Sequence, residues 1–371
     1  METKNKIKII ISGGGTGGHI FPAIALANAL KNINKEIEIL FVGAKGKMEM
    51  EKVPAAGYKI EGLWISGLQR KITFKNILVP VKIISSLLKS KQIIKDFKPD
   101  VVVGVGGYAS WSIVKAASMK GIPTLIQEQN SFPGKSNINL SKKVSKICVA
   151  FEGMENYFPK SKIVITGNPV RKDTVQIENK KTEALKFFGL NPSYKILLAI
   201  GGSLGARTIN ESIQNNLELF TGNNIQIIWQ SGKYYYEAAK SLVNFNLDEK
   251  VKVFDFINRM DLAYAAADII VSRAGAISIS ELCIIGKPVI LVPSPNVAED
   301  HQTKNAQALV KTKAAKLIKD YDCRTILGKS VLEFIGNAIE CEQMSKNIKS
   351  LALPDAANRI AEEVLKLVEN R

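Results

Sequence analysis

Cysteine and histidine are scarce in these 371 residues, and each scarcity narrows the chemistry. The four cysteines, Cys148, Cys283, Cys323 and Cys341, are scattered, with no C-x-x-C. That spacing argues against a zinc site and suits a reducing cytosol. Only two histidines occur, His19 and His301. Aromatic residues make up 7 % and no RNA-binding signature is present, so nothing supports a nucleic-acid partner. No apolar run approaches the roughly 18 residues that a spanning helix needs. Glycines break the short apolar run after the N-terminal lysines, so no signal peptide is expected there. Acidic residues are in deficit, 34 against 51 basic ones, which leaves a formal net charge of +17. Such a balance calls for an anionic partner: a phosphorylated substrate, an acidic membrane or nucleic acid. Hydrophobic residues are plentiful at 46 %, enough for an ample core, and the length fits two domains.

The chain is organised around Lys6-Ile-Lys-Ile-Ile-Ile-Ser12 followed by Gly13-Gly-Gly-Thr-Gly-Gly-His19. The apolar run predicts a buried strand, and the glycines a tight turn that lets backbone approach a ligand. Ile20 to Leu30 has helical spacing, with Pro22 in its first turn. The helix N-terminus then offers free N–H groups and a positive partial charge to whatever the loop holds, with His19 beside it. Gly13-x-Gly15-x-x-Gly18 also satisfies the dinucleotide fingerprint. That fingerprint needs an acid at the end of the second strand to take a ribose, and Val42-Gly43-Ala44 supplies none. A turn that merely packs helix on strand would not require a Thr and a His in the loop.

Strands are predicted at Lys6–Ser12, Ile37–Val42, Val101–Val105, Thr124–Gln127, Lys146–Ala150 and Ile163–Thr166, with helices between them. This is the pattern of a parallel sheet covered on both faces. Ligands bind such sheets beyond the strand C-termini. There lie Gly104-Val-Gly-Gly-Tyr108 and Gln127-Glu-Gln-Asn130, both expected at the same crevice as His19. Thr166-Gly-Asn-Pro-Val-Arg171 reads as a boundary.

The second half repeats the opening design: Lys195-Ile-Leu-Leu-Ala-Ile200, then Gly201-Gly-Ser-Leu-Gly-Ala-Arg207, then a helix expected from about Ala206 to Phe220. Further strands are predicted at Gln226–Gln230, Val251–Asp255, Asp268–Ser272, Pro288–Val292 and Ala314–Ile318. A second dense motif, Arg273-Ala-Gly-Ala-Ile-Ser-Ile-Ser-Glu281, places a small-residue turn and a helix start after a strand, which suits a diphosphate. Glu281 can accept two hydrogen bonds from vicinal hydroxyls, as on a ribose; helix-dipole compensation is its structural alternative. His301 and Gln302 fall at a helix start, open to a sugar or phosphate or to no chemical role. Asp320-Tyr-Asp322 has the D-x-D form of metal-dependent glycosyltransferases, but reads as a surface turn away from every glycine loop. The final helix, near Ala356 to Glu369, is expected to cross back onto the first domain.

From Gly62 to Lys95 there are seven basic residues (Arg70, Lys71, Lys75, Lys82, Lys89, Lys91, Lys95) and no acidic one. Trp64, Ile72, Phe74, Ile77, Leu78, Val81, Ile83, Ile84, Leu87 and Leu88 are interleaved with them. The segment is either a solvated basic helix face or a surface for an anionic membrane, to which Lys142 and Lys143 can add.

Six motifs in order, Gly13–His19, Gly104–Tyr108, Glu128–Asn130, Thr166–Arg171, Gly201–Arg207 and Arg273–Ala276 through Glu281, resemble the motif set of the MurG family. These are the bacterial UDP-N-acetylglucosamine:N-acetylmuramyl-(pentapeptide) pyrophosphoryl-undecaprenol N-acetylglucosamine transferases. The match spans about residues 6 to 365. The resemblance implies an α/β GT-B glycosyltransferase, with two Rossmann-like domains facing across a cleft. It implies an N-terminal domain at 1–167 completed by 352–371, on the acceptor and membrane side, and a donor-binding domain at 168–351. The implied reaction moves N-acetylglucosamine from UDP-GlcNAc to the C4 hydroxyl of the muramyl sugar of lipid I, with inversion, to give lipid II in peptidoglycan synthesis. The implied location is peripheral, on the cytoplasmic face of the plasma membrane, with other cell-wall synthesis proteins as conceivable partners.

Carried over by position, the resemblance assigns Ser203, Arg171 and Ala276, Ile277 and Ser278 to the diphosphate, Glu281 to the ribose and the Ile257 backbone to uracil. Asn130, Gln302, Thr16, Gly17 and Gly18 contact or border the donor sugar. His19 is the expected general base, with Glu128 as the alternative. Gln127 stands where many members have His, which puts an acceptor role there in doubt, and His301 lies where some members have Gln. A neutral imidazole suits the base role. Helix N-termini, Ser203 and Arg171 would stabilise the departing diphosphate with no metal or cofactor. The competing readings are a UDP-GlcNAc 2-epimerase, another lipid glycosyltransferase of the same fold, and a silent nucleotide-sugar binder.

Overall fold

The opening apolar run forms β1 (Lys8–Ser12). Its side chains alternate across the sheet: Ile9 and Ile11 enter one core layer and Ile10 the other, and all three are fully buried. A strand covered on both faces has no polar side to show, which is why the run reads as continuously apolar. The computed structural model describes residues 6–66, 78–202, 204–243, 247 and 249–370. Two units are present, Met1–Val170 with Pro354–Arg371, and Arg171–Leu353.

In the first unit β1 pairs in parallel with β2 (Glu38–Ala44) and β4 (Val101–Gly104). The sheet also holds β3 (Lys59–Leu63), β5 (Thr124–Glu128), β6 (Lys146–Val149) and β7 (Ile163–Ile165), in the order β3-β2-β1-β4-β5-β6-β7. The strand order reverses between β1 and β4, so their C-terminal ends flank the crevice where such sheets bind ligands. β3 was not anticipated from the sequence. It is an edge strand that is mostly half-exposed, and its Gly62 carries no side chain because a Cβ would meet Lys45 Cγ at 2.7 Å. The terminal helix Ala356–Glu369 places Ile360, Ala361 and Val364 in the same core layer as Ile9, Ile11 and Leu26.

The second unit repeats the scheme. β8 (Lys195–Ile200) lies between β9 (Ile225–Gln230) and β11 (Ile269–Ser272). The full order, with β10 (Val251–Phe254), β12 (Val289–Leu291) and β13 (Lys316–Leu317), is β10-β9-β8-β11-β12-β13. Its main core joins Leu197, Ala199, Ile209, Ile227, Trp229 and Val271. The helix expected over 206–220 is divided into Arg207–Gln214 and Leu217–Gly222, with Asn215 and Asn216 between them. Asn216 turns its side-chain amide back onto the Ser212 carbonyl at 2.8 Å, a local bond that competes with helix continuation.

The helix Val79–Phe97 buries Val79, Ile93 and Ile94 but turns other apolar residues outward. Ser86 and Ser90 face inward, Ser86 bonding Ser112 at 2.9 Å, whereas Val81, Ile84 and Leu88 are 52 %, 61 % and 61 % exposed. Arg70, Lys71, Ile72, Phe74, Lys75 and Ile77 lie outside the described residues.

Candidate active site

The first glycine loop sits at the C-terminal end of β1. Thr16 is the exposed N-cap of helix Gly17–Ile33, in an extended conformation with its hydroxyl not used as a cap. No acidic residue occupies the first turn. The N–H groups around Gly17 and Gly18 therefore meet no carboxylate from their own first turn, although Glu49 accepts the Gly15 N–H just before them.

His19 is held from its own loop. Its Nδ1 lies 3.0 Å from the Gly14 carbonyl oxygen, and because a carbonyl only accepts, Nδ1 carries the proton. In the neutral ring Nε2 then bears the lone pair. A Cβ on Gly106 would meet Nε2 at 2.8 Å, and Gly106 has φ 105°, so glycine is required where the imidazole lies on the second loop. The Gly14 N–H donates to the Gly106 carbonyl at 3.3 Å, which ties the two loops together.

At the C-terminal end of β5 a buried amide network forms. Gln127 Nε2 donates to Asn168 Oδ1 at 2.9 Å, Asn168 Nδ2 to the Gln129 carbonyl at 3.0 Å, and Gln129 Nε2 to the Val105 carbonyl at 2.7 Å. Glu128 is 2 % exposed and both its oxygens are taken. Oε1 accepts from the Asn130 N–H and Nδ2 at 3.1 and 3.2 Å, and Oε2 from the Gly134 N–H and Asn137 Nδ2 at 3.1 and 2.8 Å. The arrangement fixes the loop that carries Asn130.

In the second unit, Gly202 and Gly205 have φ of 83° and 82°, and the loop they form leads into helix Arg207–Gln214. Ser203 lies outside the described residues. Trp229, fully buried, donates to Asn210 Oδ1 at 2.9 Å, and Asn210 Nδ2 donates to the Ser231 carbonyl at 2.8 Å, which anchors that helix to the sheet. Gln230 spans two candidate segments: its Nε2 donates to the Gly202 carbonyl at 3.2 Å and its Oε1 accepts the Ile257 N–H at 2.9 Å.

Helix Ala276–Ile285 starts at Gly275 with no acid in its first turn, and Ala276, Ile277 and Ser278 are partly accessible there. Glu281, on the same helix, accepts from the Tyr264 hydroxyl at 3.2 Å. Burial pushes its carboxyl up to about 7, while the Tyr264 bond and the Arg171 charge pull the other way. Arg171 is exposed and its field reaches both Glu281 and Tyr264, so those two expected site residues belong to one cluster. Gln302 Oε1 accepts the Ala274 and Ser294 N–H groups at 3.3 and 2.8 Å, bracing the turn before that helix. His301 opens helix His301–Lys311, directly after Glu299 and Asp300 at φ 53° and 51°.

Asp320 corrects the expectation of a surface turn remote from the glycine loops. Tyr321 is exposed, but Asp320 accepts from Arg273 Nη1 at 2.5 Å and from the Thr208 hydroxyl at 2.9 Å. Arg273 also donates to the Val292 and Pro293 carbonyls at 3.0 and 3.2 Å. Asp320 thus links the turn before Ala276–Ile285 to the helix after the 201–207 loop. Sequence reasoning did not single out Tyr264, Gln230 or Asp320 as supports of the site, nor Glu49, whose carboxylate accepts the Gly15 N–H, because each acts from outside a glycine motif.

The glycosyltransferase family 28 N-terminal domain matches residues 9–149, and its C-terminal domain residues 196–360. A UDP-N-acetylglucosamine–N-acetylmuramyl-(pentapeptide) pyrophosphoryl-undecaprenol N-acetylglucosamine transferase of Cytophaga hutchinsonii is 56 % identical, with 99 % of each chain covered. The enzyme of that name from Flavobacterium psychrophilum is 54 % identical, with 98 % of each covered. The crystal structure of Acinetobacter baumannii MurG superposes with a TM-score of 0.81 at 27 % identity, covering 97 % of this chain and 99 % of that one. A UDP-GlcNAc 2-epimerase from Neisseria meningitidis shares the fold at TM-score 0.65 and 18 % identity. The chain belongs to the family of UDP-N-acetylglucosamine–N-acetylmuramyl-(pentapeptide) pyrophosphoryl-undecaprenol N-acetylglucosamine transferases, glycosyltransferases of family 28 with the GT-B fold.

Proposed function

We propose that this chain transfers N-acetylglucosamine from UDP-GlcNAc to the C4 hydroxyl of the muramyl sugar of lipid I, with inversion, forming lipid II for peptidoglycan. The observation that carries the reading is near-complete coverage at 56 % identity by a relative named for that transfer. In the mechanism, His19 Nε2 takes the proton of the C4 hydroxyl as that oxygen attacks the anomeric carbon. The bond from that carbon to the phosphate oxygen breaks, and UDP leaves with the electron pair. The tautomer set by the Gly14 carbonyl leaves Nε2 as the basic nitrogen, which favours His19 over Glu128, whose oxygens already serve four donors.

Arg171, Ser203 and the helix start at Ala276–Ser278 receive the diphosphate as its charge grows. Glu281 takes the ribose hydroxyls. Thr16, Gly17, Gly18, Asn130 and Gln302 border the sugar. A uracil on the Ile257 backbone would compete with Gln230 for the N–H that Gln230 now holds. The first unit carries the acceptor and membrane functions, and the second binds the donor. Trp64, Val81, Ile84 and Leu88, with Lys82, Lys91 and Lys95, form the surface that lies on the cytoplasmic leaflet. No helix among the described residues is long and apolar enough to cross a membrane.

The test is transfer of labelled GlcNAc from UDP-GlcNAc to a short-chain lipid I analogue in EDTA. Label in the analogue with release of UDP is expected, and His19→Ala should lower kcat by about 100- to 10,000-fold, the usual worth of a general base. Conversion of UDP-GlcNAc to UDP-ManNAc without acceptor would make the chain an epimerase instead.

A further inference from the structure

Glu49 is a carboxylate at 0 % exposure, outside every motif that marks the site. It begins the short helix Glu49–Ala55, just beyond β2. Its Oε2 accepts the Gly15 N–H at 3.0 Å and its Oε1 accepts the Ala44 N–H at 2.9 Å. A buried charge is costly unless its oxygens are satisfied, and here two backbone donors satisfy them. Two glycines leave room for it. A Cβ on Gly14 would collide with its carboxyl oxygens, and one on Gly43 would come within 2.5 Å of its Cγ.

The bonds lead directly to the base. Gly15, clamped by Glu49, has φ 86°, and the adjoining Gly14 carbonyl is the one that accepts the hydrogen bond from His19 Nδ1. In a dinucleotide-binding fold, the acid after the second strand would reach a ribose. Here the strand end carries no acid, and Glu49, further along, bonds the glycine loop instead.

We infer that Glu49 is a positioning residue for the transfer: by clamping the Gly15 N–H it holds the Gly14 carbonyl where it fixes the tautomer and orientation of His19. The inference rests on the reading of His19 as the base. Glu49 is buried and the groups assigned to the nucleotide of the donor lie in the second unit, so its loss acts mainly on the chemical step, with only the sugar contacts of Thr16, Gly17 and Gly18 on the same loop.

The experiment compares the full-length wild type, Glu49→Gln, Glu49→Asp and His19→Ala in the transfer assay, scaled to folded protein. Glu49→Gln keeps the shape but turns an NH2 group toward one of the two amides. It should lower kcat by about 10- to 100-fold, the scale of a small misplacement of a catalytic group, with the KM for UDP-GlcNAc within about twofold of wild type. Glu49→Asp keeps the charge and should recover part of that loss. A lower melting temperature with normal kcat would make Glu49 merely structural and overturn the inference. Should His19→Ala lower kcat while Glu49→Gln does not, the inference alone falls. Should neither lower it, the base assignment falls and takes the inference with it. If Glu49→Gln does not fold, amide hydrogen exchange in the wild type decides. Slow exchange at both Gly15 and Ala44 supports the clamp, and exchange at Gly15 as fast as in an open loop overturns it.

Discussion

With Glu281 assigned to the ribose, as proposed, its environment sets how donor binding should respond to pH. Burial raises its carboxyl to about 7, so near neutrality a large share of it is protonated in the free protein. Ribose hydroxyls are donors and need the ionised carboxylate as acceptor. Donor binding therefore favours the ionised form and releases a proton where the group was neutral. The diphosphate of UDP-GlcNAc keeps its charge over this range, so the carboxyl controls the trend. The KM for UDP-GlcNAc should fall roughly tenfold between about pH 6 and pH 8 and then level off, following ionisation of a group with a pKa near 7. Glu281→Gln should bind the donor more weakly and show no such slope. A flat profile in the wild type would remove Glu281 from the ribose. The same raised value acts on the free fold in the opposite sense. Stability from the protonated form is present below the ordinary carboxylate range and is lost as pH rises through about 7.

At the scale of elements, the two strand, glycine loop and helix units are legible because strand burial, turn geometry and helix start each leave a local mark. β1 and β8 read as apolar runs, and Gly15, Gly202 and Gly205 occupy positive φ as a tight turn requires. Their supports are not legible, because each acts across the fold. Glu49 reaches Gly15 across 34 positions, and Asp320 reaches Thr208 across 112. A carboxylate in a short amphipathic stretch, or in a D-x-D, looks like any surface acid until the chain closes on it. β3 was hidden for a related reason, since an edge strand with a glycine inside it lacks the apolar run that marks a central strand. The terminal helix gives a test at this scale. Ile360 is fully buried against the β1 layer, so Ile360→Ala should cost about 2–5 kcal/mol. Hydrogen exchange of the β1 amides should speed up while that of the β8 amides, in the other unit, stays as in the wild type. Unchanged β1 exchange would place the helix off that sheet in solution.

For the whole molecule, the proposed membrane surface would draw on both the net charge of +17 and the helix Val79–Phe97. Charge alone attracts any anion and is screened by salt within about 8 Å at physiological ionic strength. What separates a membrane surface from a merely solvated basic one is the apolar stripe. Val81, Ile84 and Leu88 recur at helical spacing on the outer face, while Val79, Ser86, Ser90, Ile93 and Ile94 are buried on the inner one. Around them Lys82 lies 5.6 Å over the Trp64 ring and Lys89 pairs with Glu61 at 3.2 Å, so Lys91 and Lys95 on the same helix are the exposed cations left for lipid phosphate. Each lysine near an anionic leaflet is worth on the order of 1 kcal/mol, too little for firm attachment without the apolar tips. Sedimentation with vesicles should therefore show binding to anionic but not to neutral lipid, weakening as salt rises. The double substitution Ile84→Asp with Leu88→Asp should abolish it while transfer to a soluble short-chain acceptor continues at the wild-type rate. Equal binding to neutral vesicles would mean that charge plays no part, and full retention by the double variant would mean that the stripe does not enter the interface.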